Sequence, residues 1–411
     1  MPSTPSRQDL VALYRSALAG VNGRRAVASA LEARGPGTPP PGAFHLLAIG
    51  KAASAMANGV ADVRGEDVAG GLVITRAGYE DPRLPERIPV RQLLAAHPVP
   101  DARSLQAGNA LVDYLRDAPA DARFLFVISG GASSLVERPA GAQDPAALAQ
   151  FNEWLLASGL DIARMNTLRK AVSTIKGGRL VRWLDGRRAH GLLISDVPGD
   201  DPAVIGSGLL AADRGTNPGG PLPASLPPGM TRAPAPPDAD MFDNVHLQIV
   251  ASNAIARRAC VDAARPGGWG VRVIDELLTG EAEQLGRRVA ESLIDGPPGL
   301  VVMGGEPTVT LPEHPGRGGR MQTLALAAAE SLAGSDCLLL AAGTDGADGP
   351  GEDAGAIVDG GTIQRLRRAG FDAALSLSRA DAGSALAAAG DLLQTGPTGT
   401  NVMDLVIGFR P

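Results

Sequence analysis

RFLFVISGGASSLVE, residues 123–137, is the stretch from which the rest of the chain is read. Phe124 to Ile128 are apolar without a polar break, so both faces of a strand here would be covered, as in a parallel sheet. Ser129 and two glycines then turn the chain, and Ala132–Ser134 open a helix. The same cadence appears in FHLLAIG (44–50), GGLVIT (70–75) and GLLISDVPG (191–199). Helix-like stretches Ala52–Val60, Ser104–Leu115 and Pro145–Leu156 fill the gaps, which is the pattern of βαβ units. Upstream, residues 8–33 carry one helical apolar period and end in the loop GPGTPPPGA (35–43). Downstream, residues 214–239 (RGTNPGGPLPASLPPGMTRAPAPPDA) are rich in Pro and Gly and have no period, which suits a linker or else a long ordered loop within one domain. The rhythm resumes in HLQIVAS (246–252), GVRVID (270–275), GLVVMGG (299–305), CLLLAAGTDG (337–346) and NVMDLVIG (401–408). The fold class is α/β in two domains, 1–235 and 236–411, with the last strand free to return to the first domain. No internal repeat is visible.

Composition narrows the function classes. The 411 residues are 44% hydrophobic but 3% aromatic, so the core must rest on Leu, Val, Ile and Ala. A net charge of −6 argues against nucleic acid, which selects basic faces. Cys260 and Cys337 are the two cysteines, too far apart for a CxxC metal or redox pair. The start has no charged segment followed by a long apolar run, and no stretch reaches a membrane span of roughly 18 residues. A cytoplasmic protein without a membrane partner is expected. Of 38 Lys and Arg residues three are Lys: Lys51, Lys170 and Lys176. A compact ammonium retained among so many guanidinium groups suggests a local need; chance is the plain alternative.

Five strand-to-loop junctions carry the chemistry, since open α/β sheets bind ligands beyond the carboxyl ends of their strands. In AIGKAASAMA (48–57) Lys51 stands where a helix opens and would favour an anion; a surface lysine is the bland reading. In ISGGASSLVE, Gly130, Gly131, Ser133 and Ser134 make a phosphate cradle or an ordinary capped turn. In ISDVPGDDPAVIGSG (194–208), Asp196, Asp200 and Asp201 crowd one turn, which suits Mg²⁺, although one of the latter pair could simply cap a helix. In GGEPTVTL and GRGGRMQTL, Glu306, Arg317 and Arg320 lie at turns where an Arg fork would hold oxyanions. In AAGTDGADGPGEDAGAIVD (341–359), Asp345, Asp348, Glu352 and Asp353 suit Mg²⁺ or a substrate hydroxyl. GxxxxGK[ST] fails, because His45 replaces its first Gly and Ala52 follows Lys51. GxGxxA occurs at Gly206–Ala211 but not directly after a strand, so no dinucleotide fingerprint is present. Among the five histidines, His97 in AAHPVPD is the candidate for a site.

Taken in order, GKAASAM, HPVPD, ISGGASSL, LRKAVSTIKGGRL, ISDVPGDDPAVIGSG, GGEPTV, GRGGR, GTDGADGP and PTGTNVMDL resemble the MOFRL-type glycerate kinase family, whose members are also labelled hydroxypyruvate reductases. The resemblance implies a Rossmann-like doubly wound parallel sheet, a smaller α/β domain with a mixed sheet, and an active site in the interdomain cleft. It implies conversion of D-glycerate and ATP to 2-phosphoglycerate and ADP with Mg²⁺, with Lys51 and Arg320 in the active site. The expected partner is a small hydroxy acid, and a homodimer is allowed. Asp196 and Asp345 are candidates for the base and, with Asp200, for the metal; Gly130, Gly131, Ser133, Ser134, Lys176 and Glu306 are candidates for the nucleotide. The family pattern leads us to expect Asn-Gln-Glu after GGR, where Met321, Gln322 and Thr323 stand, and Pro at Leu209. An NAD(P)H-dependent hydroxypyruvate reductase and a non-catalytic nucleotide- or metabolite-binding regulator are the alternatives.

Overall fold

The computed structural model describes residues 4–34, 38–141, 143–160, 162–213, 226 and 229–411. Residues 214–225 and 227–228 of the expected linker lie outside the described residues. The chain forms two compact units, Gly23–Val250 and Met1–Asn22 with Ala251–Pro411. The border expected at 235/236 therefore moves in two ways. Strand Val245–Ala251 completes the first sheet, and the first helix belongs to the second unit. The helical period 8–33 is two helices, Arg7–Val21 and Gly23–Ala33, broken at Asn22, whose ψ of 126° is extended. An Asn-Gly dipeptide, a strong turn former, separates them and marks the change of unit.

Unit Gly23–Val250 is built on six strands: β1 (Phe44–Ile49), β2 (Val68–Arg76), β3 (Val90–Ala95), β4 (Phe124–Ile128), β5 (Ala189–Ile194) and β6 (Val245–Ala251). Their order is β3-β2-β1-β4-β5-β6, and the pairs from β3 to β5 are parallel. This is the doubly wound order, in which the chain winds outward in both directions from β1 and β4. β1, β4 and β5 are buried almost throughout, as their largely apolar runs require, with His45 and His190 the polar residues among them. Leu47, Ile49, Phe124 and Phe126 pack with Leu111, Leu115, Leu135 and Leu180 from covering segments to form the core.

The second unit carries β7 (Val271–Val273), β8 (Gly299–Gly305), β9 (Leu338–Gly343), β10 (Gly355–Asp359), β11 (Leu392–Leu393) and β12 (Asp404–Arg410) in the order β11-β10-β9-β12-β8-β7. The sheet is mixed: β12 runs antiparallel to β8 and β9, while β7 and β8 are parallel. The last strand thus lies inside this sheet and does not return to the first. Helices Ala282–Asp295 and Arg320–Leu332 cover it, burying Leu285, Val289, Leu293, Met321, Leu324 and Leu332 against β8 and β9. Among the described residues, no helix is long and apolar enough to cross a membrane.

Candidate active site

In a doubly wound sheet the crevice opens where the strand order reverses, beyond the carboxyl ends of β1 and β4. Two of the expected motifs meet there. Gly50 and Lys51 follow β1, and Ser129–Gly131 follow β4. Lys51 N–H donates to the Gly130 carbonyl at 2.9 Å, and Ser129 N–H to the Ile49 carbonyl at 3.0 Å. Ser129 Oγ accepts from Ala52 N–H at 3.0 Å. Gly50 has φ 131°, so the turn holds Lys51 outside the helix, which begins at Ala53 rather than at the lysine. Gly131 has φ 83°, a left-handed conformation that favours glycine. A Cβ there would stand 2.9 Å from His97 Cδ2 and 3.2 Å from Lys51 Cγ. His97, Lys51 and the glycine turn are therefore packed together.

Beside this turn lies a cavity of about 210 Å³ whose lining includes His97, Gly131, Ser133, Ser134, Asp196 and Ser207. Ser133 and Ser207 share a hydroxyl hydrogen bond of 2.7 Å, and Ser134 Oγ donates to the Gly131 carbonyl at 3.1 Å. Asn166 and Arg169, one turn apart on helix Ile162–Val172, close another side. Neither was singled out from the sequence, although both lie in or beside LRKAVSTIKGGRL; a helix-borne Arg has no turn motif to announce it. Asp201 Oδ1 accepts from Ala203 N–H at 2.9 Å inside the turn, and the short helix that follows at Ile205 has no side-chain cap, so neither Asp200 nor Asp201 caps it. Asp200 sits at φ 53° in the same turn.

Lys176 is corrected. Its ammonium is fully buried in an ion pair with Glu137, itself nearly buried, and cannot reach a nucleotide directly. Burial lowers its pKa below the ordinary lysine value. Lys170 is partly buried and donates to the Ala203 carbonyl at 2.9 Å.

The second unit has its own polar centre. β8 and β9 end, and antiparallel β12 begins, at one sheet edge: Asp404 pairs with Gly305 and Gly343. That edge collects Glu306, Asp345, Asp404 and the start of helix Arg320–Leu332. Arg320 grips Asp404 with two N–H groups, at 2.6 and 3.1 Å, and reaches Glu306 at 3.1 Å. Asp348 accepts from Met321 and Gln322 N–H at 3.0 and 2.7 Å, capping the helix. Burial raises the Asp404 pKa well above the carboxylate range despite Arg320, with Asp348 and Glu306 adding to the rise. Burial likewise pushes Asp348 up to about 6. Asp345 Oδ1 accepts from Ala347 N–H at 3.2 Å. Glu306, half-exposed, occupies one face of the Arg320 fork, where it competes with an incoming anion and would itself repel phosphate. Asp404 was missed in the sequence because PTGTNVMDL reads as an ordinary strand entrance.

The family departures all point inward. Met321 and Leu209 are core residues, and Thr323 is buried. Among the described residues no three His, Cys, Asp or Glu side chains form a group able to hold a metal ion. Asp196, Asp200 and Asp345 are thus not a ready-made cage. Mg²⁺ does not need one, since one or two carboxylates suffice when phosphates supply other ligands.

The fold and site define an α/β protein whose doubly wound sheet carries a glycine and serine turn at its switch point. Residues 299–404 match the MOFRL family, and residues 9–218 match a domain of unknown function, DUF4147. A D-glycerate 2-kinase from Thermotoga maritima is 34% identical, over 89% of this chain and 90% of its own. A protein from Agrobacterium vitis, provisionally named hydroxypyruvate reductase, is 36% identical over 97% and 93%. The crystal structure of a glycerate kinase from Thermotoga maritima superposes with a TM-score of 0.84 at 30% identity, covering 98% of this chain and 99% of that one. The chain belongs to the MOFRL-type glycerate kinase family.

Proposed function

We propose that this protein transfers the γ-phosphoryl group of ATP to the 2-hydroxyl of D-glycerate, giving 2-phosphoglycerate and ADP. The observation that carries the reading is the turn at the switch point, where Lys51 packs beside Gly131 and the hydroxyls of Ser133 and Ser134 flank a small cavity. The kinase names borne by relatives at 34% identity support it. Phosphoryl transfer asks mainly for positioning and for charge on the phosphates. Lys51 supplies a cation, and Gly130, Gly131, Ser133 and Ser134 supply short-range donors. Arg320 is a second phosphate-directed cation once an anion displaces Glu306. Asp196 or Asp345 takes the hydroxyl proton as the oxygen attacks phosphorus and the bond to ADP breaks. Mg²⁺ carried by ATP would be held by Asp196 and Asp200 or by Asp345, and when bound it neutralises charge on the phosphates.

The reductase reading is disfavoured by the turn after β1. A dinucleotide site needs several glycines there so that a pyrophosphate can approach the backbone, and this turn offers Gly50 followed by Lys51. The deciding experiment is a coupled ADP-release assay across D-glycerate, L-glycerate, glycolate, tartronate and erythronate. ADP release fastest with D-glycerate is expected. NAD(P)H oxidation with hydroxypyruvate, without ADP release from any acid, would overturn the kinase.

A further inference from the structure

We infer that Arg169, oriented by Asn166, binds the carboxylate of the acceptor acid and sets the substrate class; this rests on the kinase reading above. Arg169 is half-buried on the cavity wall, and among the described residues its hydrogen bond goes to Asn166 Oδ1, at 3.2 Å. No described carboxylate lies within ion-pair distance of it, and burial is the cause that lowers its pKa. Four arginines of the same unit have a carboxylate, Arg24 and Arg87 at Asp62, Arg103 at Asp101 and Arg64 at Asp67, and buried Arg179, which has none, is held by three carbonyl oxygens, whereas Arg169 has one amide oxygen among the described residues. A desolvated guanidinium is costly without a counter-charge, so an anion in the cavity would complete it.

Size and arrangement say which anion. At about 210 Å³ the cavity falls below the roughly 300–1,000 Å³ that hold drug-sized ligands. A three-carbon acid fits such a space and a whole nucleotide does not. Asn166 accepts from Arg169 through its oxygen, and the donor end of the same amide is its NH₂, beside the guanidinium. A fork next to an amide donor suits the two oxygens of a carboxylate. Pro98, Val197 and Val204 add apolar surface for a short carbon chain. Asp196 on the same lining repels a carboxylate from its own side, so the acid enters with its charge toward Arg169 and its hydroxyl free for the phosphate turn.

The test compares Arg169→Met, Arg169→Lys and Asn166→Ala with the native chain. For Arg169→Met, KM for D-glycerate should rise by roughly ten- to a hundredfold, the loss of a charge-assisted pair, while KM for ATP stays within about threefold. Lys should restore part of the loss, and Asn166→Ala should give a smaller rise in the same constant. A rise confined to KM for ATP would assign Arg169 to the nucleotide and overturn the inference. Unchanged constants in Arg169→Lys and Asn166→Ala, both with native thermal unfolding, would overturn it as well. If the native chain releases no ADP with any acid, the kinase reading has failed on its own. Calorimetric titration of D-glycerate without ATP then decides the anion site: weaker binding to Arg169→Met supports it, and equal binding removes it.

Discussion

At the scale of single residues, charge and burial separate site candidates that look alike in the sequence. Lys51 and Lys176 both precede a small residue in a polar turn, yet one lies beside the glycine turn and the other is sealed against Glu137. Lys51→Met should therefore lower kcat/KM by at least about a hundredfold, the order of a lost charge-stabilising contact, with thermal unfolding unchanged; intact turnover would remove Lys51 from the site. Arg320 carries a structural cost in addition to any catalytic one, because it is the counter-charge of buried Asp404. Removing one partner of a buried pair costs about 3 kcal/mol or more. The Asp404 carboxyl, with its raised pKa, can escape by taking a proton. Its contribution is present at low pH and lost as pH rises through the folded value, so Arg320→Met should be far more destabilising near pH 8 than near pH 5 in urea unfolding. An equal loss at both values would show that Asp404 stays neutral throughout. Met321 invites restoration of the amide expected there, but its side chain is in the core. Met321→Asn should cost about 2–4 kcal/mol by leaving a cavity and an unpaired polar group, without changing the ranking of substrates among folded molecules.

At the scale of elements, the strands buried on both faces were legible, and so were the outer strands β6 and β7, whereas β3 and β10 were not. Phe124–Ile128 and Gly299–Gly305 read directly as apolar runs. β3 was missed because Arg91 and Gln92 interrupt it, as its outer position allows. β10 hid behind the acidic glycine loop and was taken as its continuation. The break at Asn22 was lost because the apolar period runs through both helices, while a change of packing partner leaves no trace in periodicity. The glycine and serine turn after β4 could be read as a turn, but not its neighbours: only the folded chain shows His97 and Lys51 against Gly131. Gly131→Ala should therefore abolish most turnover, since its Cβ meets both side chains in a left-handed backbone, and should lower the unfolding temperature measurably. Near-native activity would mean that the turn can shift without consequence. The helix Arg320–Leu332 is capped by Asp348, whose raised value makes its contribution greatest below the ordinary carboxylate range and lost as pH climbs through about 6. Asp348→Asn should remove that downward slope between about pH 4 and 7, seen as the difference between the two unfolding profiles.

At the scale of the whole molecule, the N-terminal helix is a structural member of the unit that also contains residues 251–411. Its Arg7 pairs with Asp359 and Asp391, Tyr14 Oη donates to the Gly343 carbonyl at 2.6 Å, and Leu10, Leu13 and Val21 are buried. Deleting residues 4–22 should thus abolish cooperative unfolding of that unit, while a covalent link carrying the helix back onto residue 251 should restore it; unaltered unfolding of the truncated chain would make the helix an accessory. The two compact units were expected from the rhythm of strands, but the assignment of the first helix required the fold. Central β12 has a further consequence for how the chain is made. During synthesis the ribosome has released Gly23–Val250 long before residues 404–410 emerge, so the first sheet can form while the second still lacks the strand between β8 and β9. Helix Arg7–Val21 must wait for its partners in residues 251–411, helix Asn253–Ala264 first among them, so its apolar stripe stays uncovered while Gly23–Val250 is made. The segment left longest without its partners is therefore a helix that precedes one unit in the sequence and belongs to the other.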